Sequence, residues 1–473
     1  MEKTRQIYLL SPKELSPETI AVTFAKTSRS PQSFREIAAE LTDEKSAQFH
    51  EKWVVGYGHA SVAEHAVLHI AIENVSRLAI ETIESSRLAS YTEKSTRYQR
   101  WDSESYYVPE ELEDHPLRAL YVDTCRTLFQ AYADSLEPVR RVVQAQEPRR
   151  EGESDAAWER RIRSIYVDVC RFLLPAASLA NVGVTANARQ LEHAIGKMLS
   201  HPLEEVRAIG AEIKRAAQEE VPTLVKYAER VPYLEKSARA LSADAQTLFA
   251  EADLGGDWCR LVHYDADGEE RVLAAALYRF GGAPYPQALQ AVRAAGAEER
   301  GRLAEHLLGD LGEFDVPLRE LEHTTYTFDV LMDQGGYFEV KRHRMMTQTP
   351  QALTAQLGYA VPRRMIEAGF GEIYRRAMEN ARSAYERLAG FDPAVASYLV
   401  PNGFNRRVLL TFNLREAYHF CALRSALNAH FSVRRVALRV AEEIRKVHPL
   451  LAMAMRLPQG ETWQSVEEKH FFQ

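Results

Sequence analysis

Glu93, Ser95 and Arg97 put an acceptor, a hydroxyl and a fork of donors within five residues. In a turn, such a serine and arginine can hold a phosphate, because a planar guanidinium meets two of its oxygens at once. The same three residues also fit a capped turn with a surface salt bridge. A second segment, Arg342-His343-Arg344, sets two fixed charges beside a titratable ring. It suits the pyrophosphate of an anionic cofactor, or equally a solvated basic run. Arg415 and His419 lie four residues apart on the helix expected after Asn413, so both can touch one ligand. Arg424 stands nine residues past Arg415, half a rotation away at about 3.6 residues per turn. It therefore faces something else, either a second ligand or an acid on a neighbouring helix. One helix addressing two ligands is what a site between two domains requires.

Other chemistries find no footing. His65 and His69 flank Glu64 in the wrong order for a His-Glu-x-x-His zinc helix, and His69 falls in a strand pattern, so no metal site is expected. Cys125, Cys170, Cys259 and Cys421 are scattered without CxxC spacing and none adjoins a base, so they read as small buried hydrophobes. Gly56-x-Gly58 is too short to be a phosphate loop. A formal net charge of −7 argues against a nucleic-acid scaffold. No leader and no apolar run of about 18 residues is present, so the expectation is a soluble, cytoplasmic protein without membrane contact.

The elements that must carry these residues occur twice. Leu68, Ile70 and Ile72 alternate with His69, Ala71 and Glu73 behind Glu64-His65, and Tyr326, Phe328 and Val330 alternate behind Glu322-His323. Arg87-x-x-Ser90-x4-Ser95-x-Arg97 lies on Arg344-x-x-Thr347-x4-Ala352-x-Thr354. Tyr106–Pro109 answers Tyr359–Pro362. In both halves an asparagine follows a proline by twelve residues, Pro175 to Asn187 and Pro401 to Asn413. Ordered agreement over separate motifs points to two similar domains about a pseudo-twofold axis, 1–243 and 257–473, with 244–256 as linker. Breaks are expected in the helix at Pro116 and Pro138. A solvated insertion is expected over 147–163, where ten of seventeen residues are charged.

These residues resemble the flavin-dependent thymidylate synthases (ThyX). The resemblance rests on Gly58-His-Ala-Ser61-Val-Ala-Glu64-His65, Ser76-Arg77, the two signature stretches, and Asn413-Leu-Arg415-x3-His419-Phe420-x2-Leu423-Arg424. Neither copy holds the whole signature Arg-His-Arg-x-x-Ser-x4-Ser-x-Arg. The resemblance implies an α+β fold of two tandem ThyX-like domains, antiparallel strands with helical C-terminal parts. It implies FAD as cofactor, NADPH and methylenetetrahydrofolate as co-substrates, and C5-methylation of a pyrimidine nucleotide of the dUMP to dTMP type. By position, Glu93, Ser95, Arg97 and Arg171 match nucleotide contacts and Arg424 the catalytic arginine facing the base. His59, Ser61, Glu64, Arg342, His343, Arg344, Asn413, Arg415 and His419 match flavin contacts. Glu339 stands where the family's base-reading glutamine would be, and a carboxylate only accepts unless protonated. Another pyrimidine such as dCMP, or a non-catalytic flavin or nucleotide sensor, therefore remains an alternative. Because the two copies have lost complementary parts, the resemblance implies one composite site per chain, and a homodimer imitating the family's homotetramer.

Overall fold

The structure, a computed structural model, describes residues 6, 8, 10–27, 30–56, 60–95, 97, 100–249 and 255–472. It is mixed helix and antiparallel sheet. Contacts divide the chain into one compact unit of residues 1–95, 105–118 and 177–252 and another of 96–104, 119–176 and 253–473.

In the first unit, strands β1 (Val67–Ser76), β2 (Ala89–Glu93) and β3 (Leu179–Asn187) form an antiparallel sheet of order β1-β3-β2. Each long strand ends where a side chain caps the next helix. Ser76 Oγ accepts from Ala79 N (2.9 Å) to open the helix Arg77–Ile83, and Asn187 Oδ1 accepts from Gln190 N (2.9 Å) to open Ala188–Leu199. Such caps satisfy backbone donors that a helix start otherwise leaves unpaired.

The second unit repeats this plan and adds an edge strand. Its strands β4 (Cys259–Tyr264), β5 (Thr325–Asp333), β6 (Thr347–Pro350) and β7 (Asn405–Asn413) run in the order β4-β5-β7-β6. Asp333 caps the helix Gln334–Val340 and Asn413 caps Leu414–Ser425. Register agrees as well as order. Ser90 lies opposite Thr185 and Thr347 opposite Thr411, each two residues short of its capping asparagine. The core sits under the inward face of β5, where Tyr326, Phe328, Val330 and Met332 are buried with Val408, Leu410 and Phe412 of β7. Each such side chain contributes about 1.5–3 kcal/mol by leaving water.

Equivalent bonds recur even where the residues differ. Ser76 Oγ donates to Glu205 Oε2 (2.6 Å) at the start of the helix Glu204–Glu220. In the second unit Ser432, at the start of Phe431–Val447, donates to the capping Asp333. Hydroxyl and carboxylate have traded places. Glu18 accepts from Thr223 N (2.9 Å) and Leu224 N (3.3 Å), as Glu269 does from Leu450 N (2.7 Å) and Leu451 N (3.3 Å).

One local expectation differs from the structure. Pro138 lies inside the unbroken helix Arg118–Gln146, because Val139 and Val143 beyond it stay buried and packing offsets the missing N–H. The charged stretch 147–163 is largely the start of a helix, Asp155–Cys170, capped by Ser154. Its charges pair, Arg161 with Glu147 and Glu153 and Arg140 with Glu159. The helix Pro232–Leu248 also reaches into the stretch 244–256. Within the second unit, Pro175 and Pro401 form an isolated antiparallel bridge. Ala176 N donates to Val400 O and Asn402 N to Leu174 O, both at 3.0 Å.

Candidate active site

The helix Leu414–Ser425 turns two faces to two chemistries, as its spacing requires. On one face Arg415 Nε donates to Pro317 O (2.8 Å) and its Nη1 to Glu322 Oε1 (2.9 Å). These residues line a cavity of about 360 Å³ together with Asn413, His419, Phe314, Met345 and Arg456. Arg415, Arg456 and His419 offer donors for an anionic pyrophosphate, and Phe314 and Met345 offer apolar faces for planar rings. The carboxyls of Glu313, Asp315, Glu322 and Glu416 line the same cavity, so the apolar faces suit a planar ring such as a flavin's better than the mixed charges suit its pyrophosphate. Arg319, the neighbour of Glu322, holds that carboxyl below its ordinary range, and Arg415 adds to the effect.

On the other face, Arg424 is clamped. Its Nη1 donates to Glu339 Oε2 (2.8 Å), with only 13% and 6% of the two side chains exposed. Its Nε donates to His343 Nε2 (2.9 Å), and His343 Nδ1 lies 2.9 Å from Glu416 Oε1. An arginine has no acceptor to offer, so Nε2 must be the accepting nitrogen and Nδ1 carries the proton to Glu416. Burial lowers the His343 pKa and the Arg424 charge lowers it further, against the opposing pull of Glu416. The ring is thus neutral at pH 7. Among the described residues, nothing bonds Arg424 Nη2 or Glu339 Oε1. Burial pushes the Glu339 pKa up, but the guanidinium charges of Arg342, Arg171, Arg424 and Arg97 overcome it and the net shift is downward. Glu339 is a carboxylate.

Further charges of that set lie within the same compact unit. Arg97 grips Asp168 through Nε (2.9 and 3.1 Å) and Nη2 (2.8 Å), and Nη2 also donates to Asn428 O (3.1 Å) just past the Arg424 helix. Arg171, 2% exposed, has its Nε 3.8 Å from Asp168 Oδ1. Asp168 did not stand out in the sequence. The available signal was its place three residues before Arg171, one helical turn away.

The remaining residues lie as follows. Glu93 is buried beside Arg77 (2.8 Å), and Ser95 follows β2 in the first unit. Glu64 pairs with Arg189 as Glu322 does with Arg415, so this ion pair survives twice. Ser61 is exposed in the 3-10 helix Ala60–His65, and His59 lies outside the described residues. Arg342 is 3.9 Å from Glu339, Arg344 is half-buried, and His343 is buried between Glu416 and Arg424 away from the cavity lining. At the positions of Glu339, His343, Glu416 and Arg424 the first copy has Thr82, Ser86, Gln190 and Met198. Of these, Ser86, Gln190 and Met198 line a small apolar pocket with Ile70, Ile72 and Tyr91. The charged chain has been lost there as a set.

A family model described as thymidylate synthase complementing protein (Thy1) matches residues 10–223 and 260–450. A UPF0159 protein of Chlamydia muridarum is 31% identical over 426 residues, covering 87% of this chain and 80% of its own. A UPF0159 protein of Thermoplasma acidophilum is 29% identical over 453 residues, covering 87% and 89%. A flavin-dependent thymidylate synthase of Clostridium tetani is 28% identical over 217 residues, which are 45% of this chain and 82% of that one.

Proposed function

We propose, from the premise that this chain belongs to the Thy1 family of thymidylate synthase complementing proteins, that it methylates C5 of a pyrimidine deoxynucleotide. The reaction is of the dUMP to dTMP type and uses bound FAD, with NADPH and methylenetetrahydrofolate as co-substrates. The observation supporting this reading is that Arg97, held by Asp168, reaches Asn428 O just past the helix that carries Arg424, the partner of Glu339. In this reading a reduced flavin, when bound, would supply the hydride that takes the transferred methylene to a methyl; the methylene carbon would bond to C5 as its bond to the folate nitrogen breaks, and the C5 hydrogen would leave as a proton.

The chain's own residues bind, orient and stabilise. Asp168 fixes one edge of the Arg97 fork, so that guanidinium is oriented before a nucleotide phosphate arrives. Arg171 adds a second buried positive charge. Arg424, held at Nη1 and Nε, turns Nη2 toward negative charge that builds on a base oxygen or N3. A fixed donor of this kind is worth about 3–4 kcal/mol of barrier, as oxyanion donors are. Glu339 accepts a base N–H at the same edge. Glu93 and Ser95 are assigned to the nucleotide by resemblance alone. Arg342, Arg344, Asn413, Arg415 and His419 hold the flavin, with Ser61, Glu64 and His59 as the further flavin positions. Two chains in a cytoplasmic homodimer would bring together four copies.

The test is tritium release from C5-labelled dUMP by the purified flavoprotein with NADPH and methylenetetrahydrofolate, with labelled dCMP run in parallel. Release supports the reading. Bound flavin without release from either nucleotide refutes it and leaves the sensor.

A further inference from the structure

The resemblance makes His343 a flavin contact, and the geometry makes it something different. The imidazole is 3% exposed, and both nitrogens are committed, Nδ1 to Glu416 and Nε2 to Arg424, each at 2.9 Å. Its ring stands 5.3 Å from that of His419 and packs edge-on against Phe420 at 4.9 Å. His419 lines the cavity and His343 does not. We infer that His343 is a positioning residue for Arg424, with Glu416 locking its tautomer, and that it holds no part of the flavin.

A guanidinium donates through Nε only in its own plane, so an acceptor there fixes the rotation of the whole fork. Glu339 fixes a second nitrogen, and two anchors leave Nη2 one direction to point. The acceptor at Nε2 exists only while Nδ1 keeps the proton, which the carboxylate of Glu416 enforces. Glu416 is itself pinned, because its backbone N–H is the donor to the capping Asn413 (2.9 Å). The groups facing His343 are therefore Glu416, Arg424, His419 and Phe420. A proton added at Nε2 would set N–H against N–H and turn the arginine away. The first copy supports the linkage. Where Arg424 has become Met198, the ring has become Ser86 and its anchor Gln190.

This rests on the role given to Arg424 above, and the experiment separates the two ideas. His343→Gln keeps an acceptor near the Nε2 position, and His343→Asn keeps a donor near the Nδ1 position. For both variants, FAD affinity is read from flavin fluorescence, turnover from tritium release at saturating FAD, and folding from thermal unfolding. Positioning predicts that FAD affinity stays within about threefold of wild type in both. It predicts that His343→Gln keeps most of kcat and that His343→Asn loses about 100-fold, the scale of one lost donor. A tenfold weaker FAD complex in both variants overturns the inference in favour of a flavin contact. Equal loss of kcat in both overturns it as well, since the acceptor at Nε2 would not matter. If wild-type protein turns over neither nucleotide, the functional reading fails, and calorimetry with dUMP and dCMP decides the positioning role. Weaker nucleotide binding by His343→Asn alone supports it, and equal binding by both variants ends it.

Discussion

Arg424 and Glu339 offer a double-mutant cycle whose outcome follows from their geometry. Their Nη1 and Oε2 are 2.8 Å apart and both side chains are largely buried. With charge centres near 4 Å and an effective dielectric near 20, Coulomb attraction is about 4 kcal/mol. Arg342, 3.9 Å from the same carboxylate, and the Arg171 and Arg97 charges remain when Arg424 is removed. The coupling should therefore fall below the full Coulomb value, at about 1–3 kcal/mol. Arg424→Met installs the residue found in the first copy, and Glu339→Gln removes the charge at nearly constant shape. Unfolding of wild type, both single variants and the double variant is followed by circular dichroism in urea. Arg424→Met should destabilise by about 2–3 kcal/mol because it strands a buried carboxylate. The same substitution in the Glu339→Gln background should cost less by the coupling energy. Additivity within about 0.5 kcal/mol would refute the claim that these groups form one unit.

Three further outcomes are expected. Arg97→Met should raise KM for the nucleotide by about tenfold or more, with FAD affinity unchanged, because Arg97 faces Asp168 and Asn428 and is not among the residues that line the cavity beside Arg415 and His419. Burial depresses the pKa of His470, stacked on Phe431, to about 3. Its unfolded form takes a proton first as pH falls below about 6.5, so stability is lost from there downward. His470→Phe should keep the stack and flatten urea-derived stability between pH 6 and 4 by about 1.4 kcal/mol per pH unit. Ser76→Asp alone should be destabilising, because it sets a second carboxylate against buried Glu205. Adding Glu205→Ser should recover most of the loss in thermal unfolding, since this rebuilds the pairing that Asp333 and Ser432 already make.

The strand-cap-helix plan was legible because its parts are chemically constrained. A capping Asn187 or Asn413 must follow its strand directly, and the twelve-residue spacing from Pro175 and Pro401 kept the two copies in step. The opposed faces of Arg415 and Arg424 followed from helical rotation alone. Asp168 was hidden because it closes a helix whose first half is crowded with solvated charge, and only the fold tells it apart from its neighbours. Pro138 misled because a local rule about a missing donor was outweighed by packing along a 29-residue helix. The burial of His343 was not legible for a related reason. A basic triplet looks like an exposed run until the fold buries its middle member and leaves Arg342 at the surface.

The bridge at Pro175 and Pro401 carries a consequence for how the halves could drift apart. Its two reciprocal hydrogen bonds run between backbone atoms only, and swapping the names of the copies returns the same pattern. Asn402 Nδ2 adds one side-chain bond there, to Arg171 O (3.0 Å), but the two bridge bonds themselves depend on no side chain. Substitutions can strip one copy of its acid and its imidazole, and the other of its serine, while this join survives unaltered.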